Sequence, residues 1–146
     1  MKISTKGRYA LRLMTDIALH GEESNVSIKD VAEREGISEK YLEQIVRELC
    51  KVGYLKSTRG SQGGYRLTRK PSEYRVGDIL RITEGKLAPI SCLADDVNTC
   101  PKVSVCAGVE FWSGLYKVIN EYVDSYTLED LAVNKVKKNG GPEYYI

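Results

Sequence analysis

The chain of 146 residues is long enough for one domain with a modest core, and its composition is ordinary for a globular protein. Its net charge of +2 is unevenly distributed, because residues 1–70 carry 14 Lys or Arg against 9 Asp or Glu (+5) whereas residues 71–146 carry 8 against 11 (−3). No apolar run could cross a bilayer, and Arg12 and Asp16 interrupt the amino-terminal apolar residues, which excludes a secretory signal. We therefore expect a cytoplasmic protein whose four cysteines are thiols or metal ligands rather than disulfides.

The first predicted helix runs from about Gly7 to His20. Its apolar residues recur at the spacing of one helical face: Ala10, Leu13, Met14, Ile17 and Ala18. His20, the only histidine of the chain, would lie at the end of this helix, where a cation suits the helix dipole. We interpret His20 as a capping residue rather than as a metal ligand.

Two short capped helices are predicted next, joined by a tight turn. Ser27 and Ser38 stand where a hydroxyl caps a helix, and each follows an apolar residue that can pack on the first turn. Gly36 is placed to end the first of the two helices in a left-handed conformation. This is the pattern of a helix-turn-helix, whose second helix enters the major groove of DNA, although an ordinary helical hairpin would show the same residues.

The second of these helices, within the stretch Ile37 to Leu49, has two chemically different faces. One face is predicted to be core and carries Leu42, Ile45, Val46 and Leu49. The other is free to contact a ligand and carries Lys40, Glu43, Gln44 and Arg47. Cys50 lies on the apolar side, where we expect it to be buried packing.

A glycine-rich turn between two predicted strands follows Gly53. The strands span about 54–59 and 65–69, and the turn contains Gly60, Gly63 and Gly64. A nucleotide-binding loop would open directly into a helix, so the strand after the glycines argues against one. We predict a wing, whose glycines let the backbone approach a phosphate or a narrow minor groove. Its flanks are basic and carry Lys56, Arg59, Arg66, Arg69 and Lys70. Further cations, on or before the first helix, could reach the DNA backbone: Lys2, Lys6, Arg8 and Arg12.

The carboxyl-terminal half is predicted to hold three more helices. A short helix spans Val76 to Thr83 and stops at Gly85, and a long one spans about Gly108 to Asp124. The long helix carries a wide apolar stripe: Phe111, Trp112, Leu115, Tyr116, Ile119, Tyr122 and Val123. A second copy could cover this stripe, so we predict a symmetric dimer, with packing inside one chain as the alternative. Thr127 begins a last helix to about Lys137.

Three cysteines lie in the loop between these helices, at Cys92, Cys100 and Cys106. Thiolates bind soft metals, and the intervals of seven and five intervening residues differ from the paired C-x-x-C of structural zinc sites. Wide spacing suits an iron-sulfur cluster, which needs ligands from separated positions. Reduced surface cysteines, a disulfide switch and zinc are the alternatives.

We therefore predict a mostly α fold with a small two-stranded β wing. The expected organisation is a winged helix-turn-helix domain at residues 1–85, a cysteine-containing loop at 86–107, a dimerisation helix and terminal helix at 108–137, and a tail at 138–146. The basic amino-terminal half fits nucleic-acid binding, and the acidic remainder fits sensing and dimerisation.

Three stretches together resemble the Rrf family of bacterial winged-helix regulators: Ile37-Ser38 with Tyr41-Leu42-Glu43-Gln44, Arg59-Gly60 with Gly63-Gly64-Tyr65, and the cysteine loop at 92 to 106. The resemblance covers nearly the whole chain except its tail. It implies a homodimer on a near-palindromic double-stranded DNA operator, read by Tyr41, Glu43 and Gln44 with Arg59 in the minor groove. It also implies a cluster held by Cys92, Cys100 and Cys106 whose state changes operator affinity.

The fourth cluster ligand is left open by two departures from the family's pattern. Val109 stands where its iron-sulfur cluster regulators have a histidine, and Arg8 where its nitric-oxide sensors have an aspartate. The candidates that remain are Asp95, Asp96, Glu110, Glu84, His20, an exogenous thiol and water. We expect a 2Fe-2S cluster, with 4Fe-4S as the alternative.

The expected function is a sequence-specific DNA-binding transcription regulator, a repressor, that senses iron-sulfur cluster status or redox stress. The alternative within the same family is a cluster-free regulator of cysteine metabolism, controlled by thiol oxidation or by a protein partner. A redox enzyme or electron carrier is disfavoured, because no nucleophile elbow or cofactor fingerprint accompanies the cysteines.

Overall fold

The computed structural model describes residues 1–140, so most of the predicted tail, residues 141–146, lies outside the described residues. The described part contains α1 (Thr5–His20), α2 (Ile28–Glu35), α3 (Glu39–Lys51), β1 (Leu55–Thr58), β2 (Gly64–Leu67), α4 (Val76–Glu84), α5 (Val109–Ser125) and α6 (Leu128–Lys138). This mostly helical fold with one two-stranded antiparallel sheet agrees with the prediction. Over residues 1–140, every helix is too short or too polar to span a membrane.

Short polar side chains start four of the helices. Ser4, Ser27, Ser38 and Thr127 each accept a hydrogen bond from the backbone N–H three residues further on, at 3.1 to 3.2 Å. The caps predicted at Ser27, Ser38 and Thr127 are thus confirmed. Ser4 caps α1, which begins at Thr5, two residues before the predicted start at Gly7. Gly36 ends α2 with a φ of 66°, as the sequence pattern predicted.

The core is built around α1, which packs against α2, α3, α4 and α6. Its side chains Ala10, Leu13, Met14 and Ile17 are at most 1% exposed, as the helical spacing predicted. The core face predicted for α3 is buried as well, with Leu42, Ile45, Val46 and Leu49 at most 2% exposed. Burial of these two faces fixes α3 on the body of the protein and leaves its opposite side outside the core.

Tyr74 ties the base of the wing to the core. Its ring is 1% exposed, and its hydroxyl donates to the carbonyl of Tyr54 at 2.9 Å. The same oxygen accepts from the backbone N–H groups of Thr68 and Arg69, at 2.9 and 3.1 Å. A buried hydroxyl with three partners is fully satisfied, so the strands of the wing are held firmly where they leave the core.

The apolar stripe of α5 is divided between two sides of the helix. Ile119 and Val123 pack on the small cluster formed by Val76, Leu80 and Leu87 of the same chain. Arg81 of α4 reinforces this contact, since its guanidinium donates to Asp124 at 2.8 and 3.0 Å and to Asn120 at 2.8 Å. A second set of side chains remains exposed on α5: Phe111, Leu115, Val118 and Tyr122.

Candidate nucleic-acid interface

The side of α3 that faces away from the core carries a polar surface. Lys40, Glu43, Gln44 and Arg47 are all exposed there. Lys40 and Arg47 have no carboxylate within 4.0 Å among residues 1–140. The helix therefore offers donors and acceptors that are free to bind another molecule.

Tyr41 differs from these neighbours because it is half-buried. Its backbone N–H donates to Ser38 Oγ at 3.2 Å, which places it in the first turn of α3. Its ring meets the ring of Tyr9 from α1 edge-on, with the centroids 5.6 Å apart and an interplanar angle of 82°. This is a favoured geometry for an aromatic pair, and it gives the side chain of Tyr41 a fixed support.

The wing is an antiparallel pair in which Leu55 lies opposite Leu67 and Lys56 lies opposite Arg66. Leu55 is buried and Leu67 half-buried, whereas Lys56 and Arg66 are exposed, so the two pairs lie on opposite faces of the sheet. Two cations are thus placed side by side on the outer face. Like charges directly opposite each other repel, so this pair favours contact with an anion.

The wing packs against α3 through β1, and Tyr65 of β2 lies half-buried against the core. Burial, with smaller contributions from Cys50 and Glu43, raises the pKa of the Tyr65 hydroxyl above its usual range. Cys50 was predicted to be buried and is half-buried, packed against the core. Burial raises the pKa of its thiol, which favours the less reactive protonated form. The wing therefore keeps a fixed position beside the exposed face of α3.

The glycines of the turn allow the backbone conformation and close backbone contacts of the turn. Gly63 donates its N–H to Gly60 at 2.9 Å, and Gly60 has a φ of 106°. At Gly64, with a φ of 145°, an added Cβ would lie 2.6 Å from the carbonyl oxygen of Val26. Glycine is required at Gly64 because the backbone of the segment before α2 passes so closely. Arg59, at the start of the turn, is exposed.

Two cations that were expected to reach DNA from α1 are engaged within the chain. Lys6 forms an ion pair with Glu48 of α3. Arg12 donates from Nε to the carboxylate of Glu35 at 3.0 Å and also to the backbone carbonyl of that residue. Both cations therefore hold α1 against the helix-turn-helix.

The cysteine loop joins α4 to α5, and its three thiols are free. Cys92 lies in a short 3-10 turn, Cys100 donates its backbone N–H to Asn98 Oδ1 at 3.0 Å, and Cys106 is exposed three residues before α5. Their chemistry fits an iron-sulfur cluster, which takes thiolate ligands. Within residues 1–140, however, no three His, Cys, Asp or Glu side chains are grouped so that they could hold a metal ion.

The candidate fourth ligands are placed in different surroundings. Glu84 accepts from the backbone N–H and the hydroxyl of Ser4, at 3.0 and 2.5 Å, and Asp96 pairs with Lys86 at 2.5 Å. His20 lies at the far end of α1, with Nδ1 2.9 Å from the carbonyl oxygen of Asp16. Asp95 and Glu110 are exposed. The conformation of the loop selects none of them.

Comparison with known proteins identifies the family. Residues 3–134 match the family model described as "Rrf2: Iron-dependent Transcriptional regulator". The chain belongs to the Rrf2 family. It is 44% identical over 132 residues to protein rrf2 of Nitratidesulfovibrio vulgaris, a match that covers 90% of this chain and 87% of that protein.

Two solved structures place the fold within the same Rrf2 family. CymR, described as the global cysteine regulator of B. subtilis, superimposes with a TM-score of 0.77 and 39% identity over 92% of this chain and 98% of that one. IscR of T. potens gives the same TM-score and identity over 99% of this chain and 96% of that one. These relatives are transcription regulators, so the chain is a winged-helix regulator and not an enzyme.

Sequence reasoning missed the contacts that support the polar surface of α3 in this Rrf2 chain. Tyr9 and Tyr41 are far apart in the sequence, and no local pattern signals their contact. Glu35, which binds Arg12, stands in an ordinary amphipathic helix. The apolar residue Val118 was omitted from the stripe of α5, although its spacing from Leu115 and Tyr122 would have revealed it.

Proposed function

We propose that this Rrf2 regulator is a homodimeric repressor that binds a near-palindromic DNA operator through α3 and the wing. The observation that carries the proposal is the exposed polar face of α3 beside a wing whose outer face is basic. A helix needs such a face to read base edges in the major groove. The neighbouring wing supplies cations for the phosphates.

The roles of the individual residues follow from their chemistry. Gln44 can bond adenine in a bidentate manner, and Glu43 can accept from cytosine while it repels phosphate and the thymine carbonyl. Tyr41 is the third residue of α3 that we assign to base edges. Lys40 and Arg47 are assigned to phosphates or base edges, and Arg59 to the minor groove. Gly60, at the open side of the turn, is assigned to close approach of the duplex, and Gly63 and Gly64 are assigned to DNA binding through the backbone shape that they give the turn.

The exposed apolar residues of α5 are assigned to the homodimer. Phe111, Leu115, Val118 and Tyr122 recur at intervals of four, three and four residues, the spacing of a coiled-coil seam. Phe111, Val118 and Tyr122 are 67%, 59% and 64% exposed in one chain, which is unusual for side chains of this size. A second copy that presents the same face would bury all of them in a symmetric interface.

The cysteine loop is assigned to an iron-sulfur cluster, 2Fe-2S with 4Fe-4S as the alternative, held by Cys92, Cys100 and Cys106. The iron dependence in the family description and the resemblance given above support this assignment. When bound, the cluster would make operator binding sensitive to iron-sulfur supply or redox stress. The loop leads directly into α5, so gathering the three thiols would act on the helix that carries the dimer seam.

A cluster-free regulator of cysteine metabolism is the second candidate. The ungrouped thiols in the described part of the chain and the likeness to CymR favour it. In that case thiol oxidation or a protein partner would control DNA binding. Both candidates use the same DNA-binding surface.

Metal analysis of protein purified without oxygen separates the two candidates. Iron and sulfide would be counted per chain, before and after reconstitution, together with visible absorption and Mössbauer spectra. We expect matching iron and sulfide in the parent chain, and loss of both in Cys92→Ala with an unchanged circular dichroism spectrum. Cys50→Ala is the matched control and should retain the iron. A chain that stays colourless after reconstitution would overturn the cluster assignment and favour the second candidate.

A further inference from the structure

Tyr9 and Arg12 of α1 lie between α6 and α3, the helix proposed to read the operator. The ring of Tyr9 supports the ring of Tyr41, and the guanidinium of Arg12 lies over the Tyr9 ring, 5.4 Å from its centroid. We propose that Tyr9 and Arg12 are positioning residues that set the orientation of Tyr41 for operator recognition. This inference rests on the proposed function, because it concerns how Tyr41 meets DNA.

The ring of Tyr41 is held by packing, since it lies half-buried against the core and edge-on to the ring of Tyr9. Among residues 1–140 its hydroxyl has no hydrogen-bond partner, and α3 begins only two residues before it. The edge-on contact with Tyr9 restricts the orientations open to the ring. A side chain that is already ordered loses less conformational entropy when it binds, so the contact favours recognition without touching DNA.

Arg12 is held in place from the opposite side. Its guanidinium binds the carboxylate and the carbonyl oxygen of Glu35, whose side chain is only 7% exposed. Since the guanidinium is fixed there, it presents its charge to the Tyr9 ring in a cation–π contact. Glu35 is the last residue of α2 and directly precedes the turn at Gly36. The support of Tyr41 therefore reaches the turn of the helix-turn-helix.

The carboxyl-terminal helix joins this series of contacts through Lys135. Its ammonium group binds the second carboxylate oxygen of Glu35, opposite Arg12. α6 follows α5 after only two residues, so a shift of the helix with the dimer seam would move Lys135 as well. The contacts Lys135–Glu35–Arg12–Tyr9–Tyr41 thus connect α6 to a recognition residue.

The test compares variants on two DNA probes. One probe is the duplex that the parent chain selects from a random-sequence library, and the other is a scrambled duplex of the same composition. We expect Tyr9→Leu to lower the preference for the selected duplex about two- to tenfold, the effect of losing one aromatic pair. Affinity for the scrambled duplex should stay constant, and Tyr9→Phe should restore the preference because it keeps the ring.

Charge variants separate positioning from simple attraction to DNA. Arg12→Gln should lower the preference in the same direction as Tyr9→Leu. Arg8→Gln removes the same charge from the same helix and should weaken binding to both duplexes equally. Lys135→Gln should lower the preference by a smaller factor, whereas Lys137→Gln, at an exposed position of the same helix, should not change it.

A double-mutant cycle decides whether the residues act through Tyr41. The effect of Tyr41→Leu on the preference should be smaller when Tyr9 is already Leu. Additive effects, or an unchanged preference in Tyr9→Leu with an intact melting curve, would overturn the inference while the DNA-binding function stands. A parent chain that selects no sequence at all would overturn the proposed function and this inference with it.

Discussion

Tyr65 in the wing and Val26 before α2 exchange two backbone hydrogen bonds, each 2.8 Å long. The segment before the helix-turn-helix thereby adds a single bridge to the edge of the wing. Asn25 reinforces it, since its side-chain amide donates to the carbonyl of Gln62 at 3.0 Å. The segment before α2 therefore holds the wing through β2 and through the turn, at a place separate from the base of the wing that Tyr74 binds.

Gly64→Ala should damage this attachment. The new Cβ would lie 2.6 Å from Val26 O, and the φ of 145° is one that residues with a side chain rarely adopt. We expect a loss of about 1–3 kcal/mol in the free energy of unfolding, measured by urea denaturation. Gly114→Ala is the matched control, because no heavy atom lies within 4 Å of its Cβ position on α5. It should gain up to about 1 kcal/mol, and equal losses in both variants would contradict the argument.

Glu35 should make the stability of the chain depend on acid pH. Burial alone would raise the pKa of Glu35, but hydrogen bonds from Lys135 and Arg12 outweigh it and lower that pKa. The folded chain therefore binds this proton less readily than the unfolded chain. Its stabilisation is complete above the unfolded pKa, near pH 4, and is lost as the pH falls through the lower folded pKa.

Unfolding of Glu35→Gln measured across this pH range tests the dependence. The variant should be less stable by about 1 kcal/mol at neutral pH, since both cations remain partly solvated. Its stability should fall less steeply on acidification than that of the parent. Glu33→Gln, an exposed residue of the same helix, should keep the parent's slope. Parallel curves for parent and Glu35→Gln would refute the assignment.

Glu43 and Arg59 should affect DNA binding in opposite ways. Glu43→Ala removes a carboxylate that repels phosphate, so affinity for unselected duplexes should rise and discrimination should fall by about 1 kcal/mol. Arg59→Ala should weaken binding and lower the slope of log K against log salt concentration by about 1. Titrations at several salt concentrations measure both effects. Identical behaviour of the two variants would exclude these roles.

Leu115→Lys should dissociate the proposed dimer. The substitution places a charge within the seam of α5, where a second copy would bury it. Sedimentation equilibrium should then report monomers, while the circular dichroism spectrum remains helical because Leu115 does not pack in the core. Ser113→Lys adds the same charge to an exposed position off the seam and should leave the dimer intact. Dimers in both variants would show that the interface does not lie on this face of α5.

Local signals made the fold predictable from the sequence. Hydroxyl caps, the left-handed glycine at Gly36 and the spacing of apolar residues each depend on a few neighbouring residues, and the structure agrees with them. The same holds for the wing, where a strand follows the glycines. The family match extends this agreement to the function class.

Contacts between distant parts of the chain were not predictable in this way. Lys6 and Arg12 have the same sequence character as any surface cation, yet each pairs with a carboxylate more than 20 residues away. The stripe of α5 was predicted as one surface, because periodicity identifies apolar residues but not the neighbour that covers them. Cysteine spacing similarly gives the donors of a site, whereas their convergence depends on the conformation of the loop.

The facing cations Lys56 and Arg66 give the wing two opposite responses to dissolved ions. In the free protein, added salt screens their mutual repulsion and should strengthen the pairing of β1 with β2. On DNA, phosphate groups would neutralise the two side chains. Added salt then competes with the phosphates for Lys56 and Arg66. Ionic strength thus stabilises the wing and weakens its attraction to a polyanion at the same time.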